Sequence, residues 1–497
     1  MKRFFSNVLP ALLAGACLRL FFVFKFPASS GDTVLYDQLA TNWLKFGKLA
    51  MDIGGQPTPV DLRMPGYPAF LAVLYALIRR TGDSARVPVM LAQVVVDLAT
   101  CLVVAFLAAL LVKVAGQTAK ANRAFLAALW LAVLCPFTAN YVAVTLTEVC
   151  AVFLTAVAFV VLVLLATDVC AYPVPTVAGK QFTRKDAWKL AALGGFVVGL
   201  GTLFRPEAPL LLVTTFAAVG HWMARRNDTR RWLSLCAVMA IGCGLALLPW
   251  TIRNAVTLHE FQPLAPKDAT LPSEVDPKGF LAWEKTWLYR MRDAYMVTWK
   301  LNDQEIQMDD IPPSAFDTTD ERNRVSMVLE RYDDELTWTS EEDAMFAQLA
   351  RERAARHPLR TYLWIPFKRM VVMWFTPRLE LLPVSGHVFP LAYQAEEDPV
   401  DQRVTILLFL VNIVYIGLAA LGTWKLWRYR RTHVAIAVLL TYIVVRTAFL
   451  TTMEIPEPRY VLVCFPALIA LGAQVFWKPD RPVSKKGESA TVSPVTG

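Results

Sequence analysis

The sequence predicts an all-α polytopic membrane protein of about ten transmembrane helices, with juxtamembrane helices in the first outer loop and a mainly helical outer insertion. Three observations carry this reading. Apolar residues fill 56% of the 497 positions, and several runs of roughly 18 or more hold few charges, long enough to cross a bilayer as helices. The lysines and arginines behind the net charge of +9 sit in short clusters between those runs. The positive-inside rule produces that distribution; a nucleic-acid-binding face would be a continuous basic surface, so no nucleic-acid partner is expected. The clusters also recur at every second connection, which decides which apolar runs cross.

Met1-Lys2-Arg3 precedes an apolar run from Val8 to Phe24. Ala28-Ser29-Ser30 has the small residues of a signal-peptidase site, but the run is longer than a signal core and contains Arg19, so it reads as an uncut first helix with a cytoplasmic N-terminus. The chain then emerges outside as a polar stretch from Gly31 to Pro68. It begins as a short amphipathic helix with Tyr36, Leu39, Ala40, Trp43 and Leu44 on one face, suited to a bilayer surface.

Tyr67 to Ile78 is only about a dozen apolar residues, too short for roughly 30 Å at 1.5 Å per residue. With that segment on the surface, spans at 87–112, 124–136, 147–167, 187–203, 207–223 and 232–250 leave three basic connections inside. These are Lys113, Lys120 and Arg123; Lys180, Arg184, Lys185 and Lys189; and Arg225, Arg226, Arg230 and Arg231. Leu363 to Phe375, interrupted by Pro366, Lys368 and Arg369, is also kept on the outer surface. Spans at 403–424, 432–451 and 460–477 complete ten, with both termini inside. The expected domains are 1–250, containing the first outer loop at 26–86; an insertion at 251–402; C-terminal spans at 403–477; and a disordered tail at 478–497.

The insertion is acidic and aromatic. Trp283, Trp287 and Tyr295 fall on one helical face, and Ser340 before Glu341, Glu342 and Asp343 reads as an N-cap with an acidic first turn. Seven of the eight cysteines lie within apolar runs and Cys170 just past one, which marks them as small hydrophobes. The five histidines form no ligand motif at helical spacing.

Ionisable groups are costly in spans and default to functional candidates. Here they gather toward the outer side. Asp32, Asp61 and Arg63 lie in the first outer loop with Tyr36 and Tyr67; Glu148 opens one span; Arg205 and Arg253 lie at outer turns; Arg446, Glu454, Glu457 and Arg459 flank the last one. Each has a structural alternative. Arg19 and Asp97 read as an ion pair within the bundle, Asp32 and Glu148 as helix caps, and Arg253 and Arg459 as interfacial anchors. Convergence on one side is what no single alternative explains. A carboxylate beside several arginines suits transfer of a sugar from a lipid phosphate, which needs a base for the acceptor hydroxyl and fixed positive charge for the leaving phosphate.

These segments resemble the GT-C superfamily of lipid-phosphate-dependent glycosyltransferases. The likeness is to its protein mannosyltransferase, lipid A aminoarabinose transferase and rhizobial lipopolysaccharide glycosyltransferase-like branch. It is carried by Gly31-Asp32 with Tyr36, Arg63-Met64-Pro65-Gly66-Tyr67-Pro68, Thr147-Glu148, Phe204-Arg205-Pro206, Pro249-Trp250 with Arg253-Asn254, and Glu457-Pro458-Arg459-Tyr460. The resemblance implies a GT-C-like fold, a bacterial inner membrane location, and a hexosyl- or pentosyltransferase with its site on the periplasmic face. It assigns catalysis to Asp32, and substrate or phosphate binding to Tyr36, Asp61, Arg63, Tyr67, Glu148, Arg205, Arg253, Glu457 and Arg459. Many relatives place Glu directly after the catalytic acid; here Thr33 stands there, leaving Asp61 as the expected second acid. A polyprenyl-phosphate-linked sugar is the implied donor, with a lipid, glycan or protein acceptor. Relatives differ in metal dependence, so a divalent cation stays open as cofactor. Two other readings stand beside this one: a lipid or solute transporter or flippase, and a glycan ligase using a lipid-diphosphate donor.

Overall fold

The computed structural model describes residues 2–170, 186–266, 275–378, 380–384, 388 and 399–478. The expected basic loop at 180–185 and the tail beyond residue 478 lie outside them.

Helix α1 (Lys2–Lys25) leads into α2 (Gly31–Phe46), then a two-stranded antiparallel hairpin, β1 (Ala50–Ile53) and β2 (Gln56–Pro59), and α3 (Gly66–Ile78). The hairpin departs from the purely helical expectation. Gly54 and Gly55 both have positive φ, +59° and +79°, as the tight turn that joins two short strands requires. Next come α4 (Asp83–Val114), α5 (Ala121–Val133), a single turn α6 (Pro136–Ala139), α7 (Glu148–Val169), α8 (Asp186–Thr202), α9 (Leu210–Ala224) and α10 (Thr229–Thr257). The insertion follows as α11 (Lys278–Glu284), α12 (Met291–Met296), α13 (Thr319–Glu335) and α14 (Ser340–Arg356). The chain closes with α15 (Ile365–Phe375), α16 (Pro399–Trp427), α17 (His433–Thr451) and α18 (Phe465–Gly472), the last flanked by 3-10 turns.

Among the described residues seven helices are long and apolar enough to cross a membrane, and an eighth span forms if α5 and α6, bent by 53°, count as one. The other two expected spans are α8 and α9, of 17 and 15 residues. The chain is a multi-pass membrane protein. Helix α3, with 13 residues, has the short length that excluded it as a span. Helix α10 runs past Trp250 to Thr257, so the expected boundary at 250 falls inside a helix.

The membrane core is one apolar cluster built on α4, α5, α7, α8, α17 and α18. Within it Arg19 donates to Asp97 at 2.6 Å and to the carbonyl of Val133 at 2.8 Å; the expected bundle ion pair is present. Helices α8 and α10 meet backbone to backbone at glycines. A Cβ on Gly195 would lie 2.0 Å from the Met239 carbonyl oxygen, the close approach that small residues allow between membrane helices.

The insertion has its own core. Phe280, Trp283, Trp287, Trp338 and Phe346 are buried and packed mainly edge to face, with Trp283 and Phe346 centroids 4.9 Å apart. Two sequence expectations fail here. Trp287 lies beyond the end of α11 and Tyr295 sits on α12, 42% exposed, so the three aromatics share no helical face. The cap of α14 is Thr339 and not Ser340: its hydroxyl accepts from Glu342 N while Glu342 accepts from Thr339 N at 2.8 Å.

Candidate active site

The polar stretch folds as a bracket around Asp32. Ser30, extended at φ −129°, is the N-cap of α2, and its N–H donates to Thr33 Oγ1 at 3.2 Å. Asp32 is therefore not the cap. It stands in the first turn, where the helix dipole favours an acid, and its carboxylate projects into a cavity. Behind it Tyr36 is buried, its ring edge-on to Tyr67 at 5.1 Å, and the Tyr67 hydroxyl donates to Gln93 at 2.8 Å. Tyr75 donates to Asp37 at 2.7 Å, fastening α2 to α3.

Gly66 brings the distant turn in. Its N–H donates to the Leu203 carbonyl at 2.7 Å, and a Cβ there would lie 2.5 Å from that oxygen. The loop carrying Arg63 is thus pressed against the turn carrying Arg205. Arg63 Nη2 donates to Asp32 Oδ1 at 2.9 Å, and Arg459 Nη2 reaches Oδ2 at 3.5 Å. Arg459 also pairs with Glu457 and stands 3.7 Å from Glu148, which is the partner of Arg205. Tyr460 donates to Glu457 at 3.0 Å and underlies both Arg205 and Arg459, their guanidinium carbons 5.5 and 5.8 Å from its ring centre. The turn is anchored by Arg446, which donates to the Tyr460 carbonyl at 3.0 Å and to Glu207 at 2.9 Å.

Three acids and three arginines thus alternate in one connected network. Asp32 retains 26% exposure and Arg63 36%, while Glu148 and Glu457 are nearly sealed at 3% and 7%. Burial works hardest on Asp32, favouring its neutral form, but Arg63, Arg459 and Arg205 together outweigh it and hold the carboxyl below the usual carboxylate range. Burial, then the charge of Asp32, pushes the Tyr36 phenol up to about 12; it stays protonated. One Glu148 oxygen, Oε2, is buried without a hydrogen-bond partner among the described residues.

The cavity beside Asp32, about 560 Å³, is lined by Ser30, Arg63, Leu281, Trp299, Glu454, Glu457, Arg459 and Tyr460 among others. A second cavity of about 280 Å³, mostly apolar, runs between the end of α2 and α10, past Trp43, Pro65, Gly66, Leu203 and Trp250. Arg253 lines this second one. It donates to the carbonyls of Leu49 at 2.8 Å and Val60 at 3.0 Å and stacks on Trp250 at 5.3 Å. Asp61 lies within the field of Arg253 and does not partner Asp32.

Of the ten residues singled out in the sequence, then, Asp32, Arg63, Glu148, Arg205, Glu457 and Arg459 form the network; Tyr36 and Tyr67 support it; Arg253 and Asp61 lie apart. The nearest acids to Asp32 through shared arginines are Glu148 and Glu457. Tyr460, Leu281 and Trp299 line the cavity without having been singled out as site residues, and Glu454, one of the outer ionisable groups, lines it too. Tyr460 had a signal, directly following Arg459, whereas nothing local marks Trp299. Among the described residues no three His, Cys, Asp or Glu side chains converge on one point, and the network's carboxylates face guanidinium groups.

The sequence matches no family model and no curated protein. Solved structures do match. The archaeal oligosaccharyltransferase AglB from Archaeoglobus fulgidus, in complex with an inhibitory peptide and a dolichol-phosphate, aligns with a TM-score of 0.50 at 14% identity over 94% of this chain and 50% of its own. The chain has a GT-C fold. It spans about half the length of that oligosaccharyltransferase. ArnT from Cupriavidus metallidurans bound to undecaprenyl phosphate aligns at a TM-score of 0.40 and 12% identity, over 94% of this chain and 77% of its own. In this GT-C fold, Asp32 sits at the start of the helix that follows the first span.

Proposed function

We propose that this protein is a membrane glycosyltransferase that moves a hexosyl or pentosyl group from a polyprenyl-phosphate donor to an acceptor hydroxyl, in one inverting displacement on the outer face. The observation that carries the reading is Asp32 at the mouth of a 560 Å³ cavity with Arg63 at 2.9 Å and Arg459 at 3.5 Å. The GT-C fold supports it, as does AglB, solved with a dolichol-phosphate.

In the proposed step the acceptor oxygen forms a bond to the anomeric carbon as the bond from that carbon to the phosphate oxygen breaks. The electron pair leaves with the lipid phosphate, and the hydroxyl proton passes to Asp32. Negative charge grows on the leaving phosphate, so guanidinium groups fixed beforehand at that place lower the barrier. Arg63, Arg205 and Arg459 are held there by their own acids. A phosphate entering among them draws Arg459 and Arg63 away from Asp32, which makes Asp32 a stronger base once donor is bound. The lipid tail lies in the apolar cavity at Trp43, Pro65 and Trp250, with Arg253 and Lys48 at its rim. No step is assigned to a metal.

A transporter would need a polar path through the membrane. The deep pair Arg19 and Asp97, 0% and 3% exposed and closed by backbone carbonyls, supports a structural role instead. The test is to incubate membranes, with and without the protein, with a panel of labelled polyprenyl-phosphate sugars. Asp32→Asn is expected to lower transfer about 10²- to 10⁴-fold. Full transfer by correctly folded Asp32→Asn would end the assignment.

A further inference from the structure

The cavity at Asp32 has two unlike walls. One is ionic, made of Asp32, Arg63, Glu457 and Arg459; the other comes from the insertion and presents Leu281 and Trp299. Trp299 is 42% exposed, whereas Trp283, Trp287 and Trp338 of the same insertion are 1%, 1% and 2% exposed. Its ring contact among the described residues is Tyr295, edge-on at 4.3 Å. Tyr295 is also 42% exposed and lies in the field of Glu457 and Arg459. The Trp299 indole N–H makes no hydrogen bond among the described residues. A broad aromatic face and a free donor are thus left facing a charged cavity.

We infer that Trp299 and Leu281 form the acceptor subsite and that the acceptor is a carbohydrate. This rests on the glycosyltransferase reading above. An inverting displacement needs its nucleophile opposite the leaving phosphate. The arginines occupy one wall, so the acceptor is held by the other. A pyranose ring matches what that wall offers. Its C–H face is apolar with a partial positive charge and seats on the negative face of an indole. Its rim hydroxyls donate to carboxylates, and Asp32, Glu454 and Glu457 all line the cavity. The volume of about 560 Å³ falls in the range of about 300 to 1,000 Å³ usual for small-ligand sites.

The experiment is saturation-transfer NMR on the full-length protein in detergent micelles. The probes are α- and β-linked disaccharides, the same disaccharides on a short lipid, and a Ser/Thr octapeptide. Saturation of ring C–H protons is expected for saccharides, falling about tenfold in Trp299→Ala and persisting in Trp299→Phe, since a phenyl ring preserves a stacking face. Transfer from the lipid-linked form alone identifies a glycolipid acceptor; transfer from both forms identifies a free glycan. Preferential saturation of the octapeptide, or saccharide signals unchanged in Trp299→Ala, overturns the subsite. Because this binding needs no donor, it separates the two ideas. Saccharides held through Trp299 alongside normal transfer by Asp32→Asn would sink the mechanism and leave the subsite.

Discussion

In the proposed mechanism Asp32 takes the proton, and its environment sets a measurable signature. Three arginines keep its pKa below the ordinary carboxylate value of about 3.9. In the free enzyme it is ionised throughout the neutral range, and the acid limb of kcat/KM, which reports the free enzyme, should lie below that value. Arg63→Gln removes the partner at 2.9 Å and leaves the burial that favours the neutral acid. The acid limb should then move to higher pH; a limb that stays put would show that Asp32 is not the titrating base. Glu284, in the insertion, shows the opposite balance. Burial pushes it up to about 8, Glu454 adds to the rise, and the Thr298 hydroxyl, donating at 2.7 Å, and Arg369 oppose it. The folded state therefore holds a proton that the unfolded chain has lost above about pH 4.3. Folding is favoured by that difference at low pH and loses it as pH rises toward about 8. Glu284→Gln should raise the unfolding temperature at pH 9 and leave it little changed at pH 5, measured by calorimetry in micelles.

At the scale of elements, the site depends on how turns from separate helices are pinned. Gly66 is one pin. In Gly66→Ala the new methyl would overlap the Leu203 carbonyl, so the loops bearing Arg63 and Arg205 must part. Transfer should fall even though no ionic residue has changed, and cross-linking between cysteines placed at 62 and 204 should weaken. Arg369 is the second pin. It is 2% exposed and donates to the carbonyls of Leu288 at 2.8 Å, Lys285 at 3.0 Å and Thr451 at 3.2 Å, while Lys285 pairs with Glu454 at 2.7 Å. Together they join the end of α11 to the segment that continues through Glu457 and Arg459. Arg369→Gln strands buried carbonyls at about 1 to 3 kcal/mol each. Amide exchange in residues 452–459 should accelerate at least about tenfold, and unaltered exchange would show that the clamp does not hold the turn.

Across the whole molecule, what could be read from sequence followed periodicity and charge. Apolar runs located seven spans, or eight with the bent pair, because bilayer thickness acts on composition alone. The site was legible where a motif sat at a turn, as with Asp32, Arg205 and Arg459. It was not legible where position depends on packing between domains. Arg253 looked like another phosphate ligand, yet it is consumed by the Leu49 and Val60 carbonyls; Trp299 looked like any aromatic of the insertion. The β-hairpin escaped notice because four-residue strands carry too little pattern. The same division predicts how the molecule comes apart. The insertion core around Trp283 and Phe346 is a cluster separate from the membrane core, and the former is exposed to denaturant while lipid or detergent protects the latter. In rising urea, exchange measured by mass spectrometry should open α11, α13 and α14 first, with α4, α7 and α8 still protected. Transfer should be lost in that first step, because Leu281 and Trp299 leave with the insertion and the turn bearing Arg459 loosens without the Lys285 anchor, while Asp32, Arg63 and Arg205 stay folded. Donor binding, read by retention of a labelled polyprenyl phosphate, should survive it. Loss of donor binding together with transfer would mean that Arg63 and Arg205 do not hold the donor once the insertion has opened, and the division of labour between the two walls would fail.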